Sequence, residues 1–584
     1  MMKNLVKYEN LILAAFYILM LIFFVAFRYD FYFALNDDVL MKDLLAGIYT
    51  GTPEASNIQM LYPLGFVISL FYRIVPGFPW YGLFLIGCQF LSLYMISFLS
   101  LKFSTNRIKK ILFLIVMFVI FFATMLHHLV FVQYTITSAM LAAAAVFYFT
   151  VTEASEDIKV FIKANIPALI LILIAFLLRP WMLWLLLPLI CFAGIFKWSQ
   201  EVTIFTKQNM KKYFSLFGLL LALLLVSQAI DLLAHSSSEW RQFNRFFANR
   251  TKLYDFQMIP EYEENAAFYT GIGFTYGEVN LLNNYNFGIS EKINDVSLLE
   301  IATYAKQKRN ETVSFGERFK QQFRAYYYVA TKGHYPYNVL ILLGYAALLG
   351  WAFFRNQLGR IVTVLFMLGI VRSGLWLYIL MGERYPERII HSLYFVEMML
   401  LLAMFLTAMT KKEEQDSRKV PKFYPYIVAV TAVFIAFGNI KPTLYGMDTE
   451  FIYIEAKNQP WRVMQEYVSK NNESFYFIDV YSSVKYQEDI FGFDNPFRSS
   501  FPANYDIMGG WAVNSPLHQK KLDRMIKPGI TMFEALYSYD NVFFINDKSR
   551  DTSWLPAYYA ERGYEISLER VDVIADKLEV YKLR

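Results

Sequence analysis

The sequence predicts a mainly α membrane protein, a polytopic bundle of about eleven spanning helices with a C-terminal extracytoplasmic α/β domain. Three observations predict it. Of 584 residues, 56% are hydrophobic, 18% are charged, and Phe, Trp and Tyr together make up 18%, which is more apolar surface than a soluble fold hides. Apolar runs long enough to cross a hydrocarbon layer as helices, about 17–25 residues each, recur up to Asn439. Beyond it, charge, short apolar runs and turn residues return to ordinary levels. Residues 1–439 therefore read as the transmembrane module and 440–584 as a water-facing domain.

Composition also excludes partners. Cys88 and Cys191 both lie inside apolar runs, far apart, so neither a disulfide framework nor a metal or redox motif is indicated. The formal charge of +6 comes from loops between apolar runs rather than from one patch, so membrane topology explains it and no nucleic-acid partner is implied.

The first apolar run, 11–27, follows Lys3 and Lys7 and is not followed by a small-residue cleavage pattern. It reads as a retained signal anchor with a cytoplasmic N-terminus, which places the loop 28–79 outside. Counting 61–75 as a span would put Lys102, Arg107, Lys109 and Lys110 outside, against the positive-inside rule. Pro63, Arg73, Pro76 and Pro79 also interrupt it, so it is expected to lie along the outer surface. The later spans are then 80–101, 111–126, 129–151, 166–178, 182–196, 213–234, 338–354, 361–380, 389–409 and 424–439. Inner loops collect Lys159 and Lys163; Lys197, Lys207, Lys211 and Lys212; Arg355 and Arg360; and Lys411, Lys412, Arg418 and Lys419. The run 166–178 is short for a crossing, yet basic loops on both sides of 166–196 require a hairpin turning at Arg179-Pro180-Trp181. The outer side receives 28–79, a tight turn at His127-His128, the hairpin turn, the segment 235–337, the loop 382–388 and the C-terminal domain.

Within the first outer loop, Val39, Leu40, Leu44, Leu45 and Ile48 recur at helical spacing, which predicts an amphipathic helix on the membrane. Asn36 suits its N-cap, and Asp37 and Asp38 suit its first turn, where the helix dipole favours negative charge. Capping alone would account for these acids. Their place just past the first span offers a second role, since a carboxylate there can take a proton from an acceptor hydroxyl or hold a divalent metal.

An early outer loop reading Asn36-Asp37-Asp38, then a surface helix and Tyr62-Pro63-Leu64-Gly65, with Arg384-Tyr385-Pro386-Glu387-Arg388 late in the chain, resembles the GT-C glycosyltransferases. The likeness is to the large multi-spanning members of Gram-positive bacteria and covers the topology of most of the chain. It implies a GT-C-like fold and an inverting transfer from a polyprenyl-phosphate sugar donor to a glycan or lipid acceptor at the cell envelope. The resemblance also implies a plasma-membrane location with the C-terminal domain outside. It makes an outer-loop acid the general base or a ligand of a divalent metal, Mg or Mn; here that is Asp37 or Asp38, both of them if a metal is used. The two acids are adjacent, where relatives include an acid-any-acid form.

A lipid-phosphate leaving group needs positive charge where it departs. Arg179 stands at the hairpin turn, where an interfacial anchor is the alternative role. Arg372 lies inside an apolar run, where an ionisable side chain is functional by default, the alternative being a structural pair with Glu397. Arg384 and Arg388 flank Pro386, and Arg388, His391, Tyr394 and Glu397 fall at helical spacing on one face. These residues, Arg179, Arg372, Arg384, Arg388 and His391, are the candidates for the donor phosphate. His127 and His128 read mainly as interfacial histidines.

The segment 235–337 is rich in Asn, Tyr and Phe, including Arg241-Gln242-Phe243-Asn244-Arg245-Phe246-Phe247, a composition that suits either sugar binding or a loop covering the bundle. In the C-terminal domain, 475–480 and 541–545 read as strands, 532–537 and 554–562 as helices, and 566–581 as a final strand pair. Gly509-Gly510-Trp511 is not a phosphate-cradling loop, so no nucleotide site is expected. A transporter or flippase of lipid-linked glycans is the alternative function, since buried Arg and His also line transport paths, but no internal repeat pairs the two halves.

Overall fold

The computed structural model describes residues 2–104, 106–410, 419–484, 486–492, 495–498 and 502–584, with side chains from residue 8. The inner-loop residues Lys411, Lys412 and Arg418 and the side chains of Lys3 and Lys7 lie outside the described residues. The chain forms two compact units, a bundle unit (1–32, 82–229, 319–449) and a sheet unit (33–81, 230–318, 450–584).

The protein is mainly helical. Eleven helices among the described residues are long and apolar enough to cross a membrane: Tyr8–Arg28, Trp80–Phe103, Arg107–Val130, Tyr134–Val151, Ile158–Leu178, Pro180–Ser199, Lys207–Ala234, Tyr337–Phe354, Leu358–Met381, Glu387–Thr410 and Tyr424–Lys470. This is the character of a multi-pass membrane protein.

Helix ends depart from the apolar runs where polar side chains belong to the first or last turn. The expected short run 166–178 is part of a 21-residue helix, Ile158–Leu178, capped by the Asp157 side chain, which accepts from the Val160 N–H at 2.9 Å. Lys159 and Lys163 fall within its first turns, and long lysine stems let such residues extend an apolar helix. His127 and His128 are not a turn but the last turn of Arg107–Val130, and the chain reverses just after it, where the Gln133 side chain caps Tyr134–Val151. Pro180 opens Pro180–Ser199 at a position that needs no amide hydrogen. Tyr62–Ile74 has 13 residues, about 20 Å of helix against a hydrocarbon layer of about 30 Å, too short to span.

The sheet unit gathers three stretches that the charge pattern assigns to the outer side. Its five strands are ordered Tyr505–Ile507, Phe475–Ile478, Val542–Asp547, Leu578–Leu583, Leu568–Ile574. The first three run parallel, and the last two form an antiparallel hairpin against them. Tyr505–Ile507 and the helix Pro516–Met525 are absent from the sequence reading. Three residues of mixed polarity give no periodicity to read.

The boundary that composition places at residue 439 is not where the units divide. The physical reason lies in 238–305, whose helices have apolar faces with no partner of their own. Phe243, Phe246 and Leu253 from Ser238–Phe256 share one core with Phe475, Phe477 and Phe544 of the sheet. Glu278, fully buried, pairs with Arg562 and so ties the helix Tyr276–Asn283 to the chain just after Trp554–Ala560.

Backbone approach is closest at Gly509, where a Cβ would stand 1.5 Å from the Tyr285 carbonyl oxygen. Nearby, the Gly288 amide donates to the Met508 carbonyl at 2.8 Å. Gly509→Ala is therefore expected to destabilise the protein by about 3 kcal/mol, read as a lower midpoint in thermal unfolding of the detergent-solubilised chain. An unchanged midpoint would show that the Tyr285 loop gives way freely.

Candidate functional site

The helix Asn36–Ala46 carries the two acids. Its N-cap is Leu35 rather than Asn36, with no side-chain capping bond, and Gly47 ends it in the left-handed conformation at φ 82°. The expected cap at Asn36 is thus not used. Asp37 and Asp38 do lie in its first turn, where the helix dipole favours negative charge.

Both carboxylates are nonetheless buried, Asp38 completely and Asp37 to 9% exposure. Asp38 Oδ1 accepts from the Tyr81 hydroxyl at 2.9 Å, which fixes that carboxylate. Asp37 makes no hydrogen bond or ion pair among the described residues. Adjacent helical residues point about 100° apart, so the two side chains diverge and are poorly placed to grip one ion together. Among the described residues no three His, Cys, Asp or Glu side chains come together to hold a metal. The acids alone do not make a metal centre.

Asn36, Val39, Leu40 and Asp43 share one face of this helix and line a cavity of about 220 Å³. Opposite walls come from Tyr285, from Val480 and Ser483 after one parallel strand, and from Ile507, Gly509, Gly510 and Trp511 at the end of another. The cavity thus lies at the carboxyl ends of two parallel strands, the edge where open α/β sheets bind ligands. Two cations reach it. Lys521 donates to the Tyr505 carbonyl and sits 4.2 Å from the Tyr49 ring centroid. Arg250 lies 4.2 Å from the Trp511 ring and 4.8 Å from that of Phe287, with one long bond of 3.4 Å from Nη2 to the Gly509 carbonyl.

Burial pulls the Arg250 guanidinium down to about 10, against the opposing pull of Tyr254, Tyr285 and Asp37. Asp37 and Arg250 therefore feel each other's charge without touching. Burial likewise lowers Lys521 and His518, the latter 3.6 Å from Asp506, which accepts from the Tyr49 hydroxyl at 2.7 Å.

Beside the cavity, the Lys42 ammonium is shared between Glu488 at 2.5 Å and Asp43 at 2.8 Å. Two carboxylates around one cation cannot both be fully satisfied. Burial pushes Asp43 up to about 6, opposed by Lys42 and reinforced by Glu488.

The cations expected to hold a phosphate all belong to the bundle unit. Arg372 pairs with Glu397, which also accepts from the Tyr345 hydroxyl at 3.0 Å, so the structural alternative for Arg372 is present. Its Nη2 has no partner among the described residues. His391 Nδ1 stands 2.8 Å from His128 Nε2, and its ring stacks 4.5 Å from that of Tyr337. Arg179 stands at the turn before Pro180–Ser199 and lies 5.0 Å from the Tyr134 ring, its Nη1 buried without a hydrogen bond among the described residues. Arg384 and Arg388, both half-buried, flank the start of Glu387–Thr410. The His128–His391 contact and the cavity cation Arg250 were not anticipated from the sequence.

Compared with family models, curated proteins and solved structures, the chain matches none.

The raised Asp43 carboxyl has a sign that can be checked. Its folded pKa of about 6 exceeds the ordinary carboxylate value, so the stability it contributes is full below about pH 4 and is lost as pH rises through about 6. The loss is about 2–3 kcal/mol. Thermal midpoints measured from pH 4 to 7.5 should carry this component, and Asp43→Asn should remove it. Parallel pH profiles for the two proteins would refute the shared-cation account.

Proposed function

We propose that this chain is an inverting, GT-C-type membrane glycosyltransferase that moves a sugar from a polyprenyl-phosphate donor to a glycan or lipid acceptor on the outer face of the membrane. The observation that carries the reading is the acid pair. Two carboxylates are buried in the first turn of a helix, one held by Tyr81 and the other without a hydrogen bond or ion pair among the described residues. Burying a carboxylate is costly, and no hydrogen bond or ion pair offsets that cost at Asp37 among the described residues. Eleven membrane-length helices supply the setting a lipid-linked donor requires.

In this reading Asp37 is the general base and Asp38, restrained by Tyr81, positions the turn that presents it. The acceptor hydroxyl oxygen forms a bond to the anomeric carbon as its proton passes to Asp37. The bond from that carbon to the phosphate oxygen breaks on the opposite face, and polyprenyl phosphate leaves with the electron pair. The departing phosphate needs positive charge where it leaves. No step passes through a metal.

Asp37→Asn should lower transfer of a labelled sugar from polyprenyl phosphate by roughly 10²–10⁴-fold, the scale of a lost general base, with the thermal midpoint preserved. Asp38→Asn should lower transfer less. Full turnover in the double variant would remove the acids from the mechanism, and movement of labelled lipid across vesicles without a new glycosidic bond would favour transport instead.

A further inference from the structure

Two cations, Arg250 and Lys521, and two acids, Asp43 and Asp506, line the cavity of the sheet unit. Arg250 is 5% exposed and Lys521 2%, and neither makes an ion pair among the described residues. Arg250 Nη1 has no hydrogen-bond partner among the described residues. Asp43 pairs with Lys42, and Asp506, which accepts from the Tyr49 hydroxyl, offsets Lys521 through space together with Asp43, so Arg250 is the cavity cation left without an acid beside it among the described residues. Asp37 acts on Arg250 only through space. A buried guanidinium with an unbonded donor and no acid in contact among the described residues suits an anion that arrives from outside the chain.

The walls narrow the class of ligand. Tyr285 and Trp511 line the cavity together with the backbone of Gly509 and Gly510, pairing apolar ring faces with carbonyl and amide groups. Flat aromatic faces beside hydrogen-bonding backbone suit a sugar ring, and about 220 Å³ gives room for one such ring. The position at the carboxyl ends of two parallel strands is independent support for a ligand site.

We infer that this cavity binds a saccharide residue carrying an anionic group, a carboxylate or a phosphate, with the Arg250 fork on the anion and the ring against Trp511 and Tyr285. Naming that saccharide as part of the acceptor rests on the transferase reading above; the anion site itself rests on the cavity and on Arg250.

The test uses the full chain in detergent at constant ionic strength, with thermal midpoints measured in millimolar D-glucuronate, inorganic phosphate and D-glucose. Glucuronate should raise the midpoint by a few degrees, phosphate should raise it less, and glucose should leave it unchanged. Arg250→Gln should abolish both anion shifts, because it removes the charge and the donor fork that hold the anion. Should that variant fail to fold, Arg250→Lys keeps the charge without the fork and should weaken the glucuronate shift several-fold. No shift from either anion, or shifts that persist in the variants, would overturn the site. A shift from phosphate with none from glucuronate would overturn the saccharide assignment. Transfer activity separates the two readings: intact anion shifts without transfer unseat the transferase, and transfer without anion shifts unseats the cavity.

Discussion

One apolar core holds together stretches of the sheet unit that are remote in sequence. Phe243, Phe246 and Leu253 would expose a hydrophobic stripe on an isolated helix, and the strands Phe475–Ile478 and Val542–Asp547 would expose a sheet face. Burying each against the other is the favourable term that orders both. The same packing carries Arg250, on the stripe between Phe246 and Leu253, to the backbone of Gly509 and the ring of Trp511. Without that core the cavity would have no wall opposite the Asn36–Ala46 helix.

The spanning helices were legible because hydropathy acts through a simple constraint. Hydrocarbon provides no hydrogen-bond partners, so a crossing segment must be long, apolar and helical. The departures have a common cause. Lys159 and Lys163 in one helix and His127 and His128 in another are polar residues inside helices whose ends composition placed too early or too late. The strands Phe475–Ile478 and Val542–Asp547 were likewise readable from their aromatic and β-branched content, whereas Tyr505–Ile507 was too short to be.

The site was legible only in part. Asp37 and Asp38 stood out as paired acids after the first apolar run, but their burial, and Tyr81 as the partner of Asp38, depend on contacts across many residues. Arg250 carried a signal that went unread. Phe243, Phe246, Arg250 and Leu253 follow the three-and-four spacing of a helix face, so a cation interrupts an otherwise apolar stripe. A charge on the buried face of an amphipathic helix is expensive, and it points to a site as surely as one inside a span. Lys42 could not be read this way, because its meaning depends on Glu488.

That pairing has a consequence for how the protein is made. Lys42 and Glu488 are separated by 446 positions, and at about 5–20 residues per second a ribosome takes roughly 20–90 s to travel between them. For all that time the early helix carries an ammonium group whose second carboxylate does not yet exist. The Lys42–Glu488 pair, and with it this part of the sheet unit, can therefore close only after most of the chain has been made.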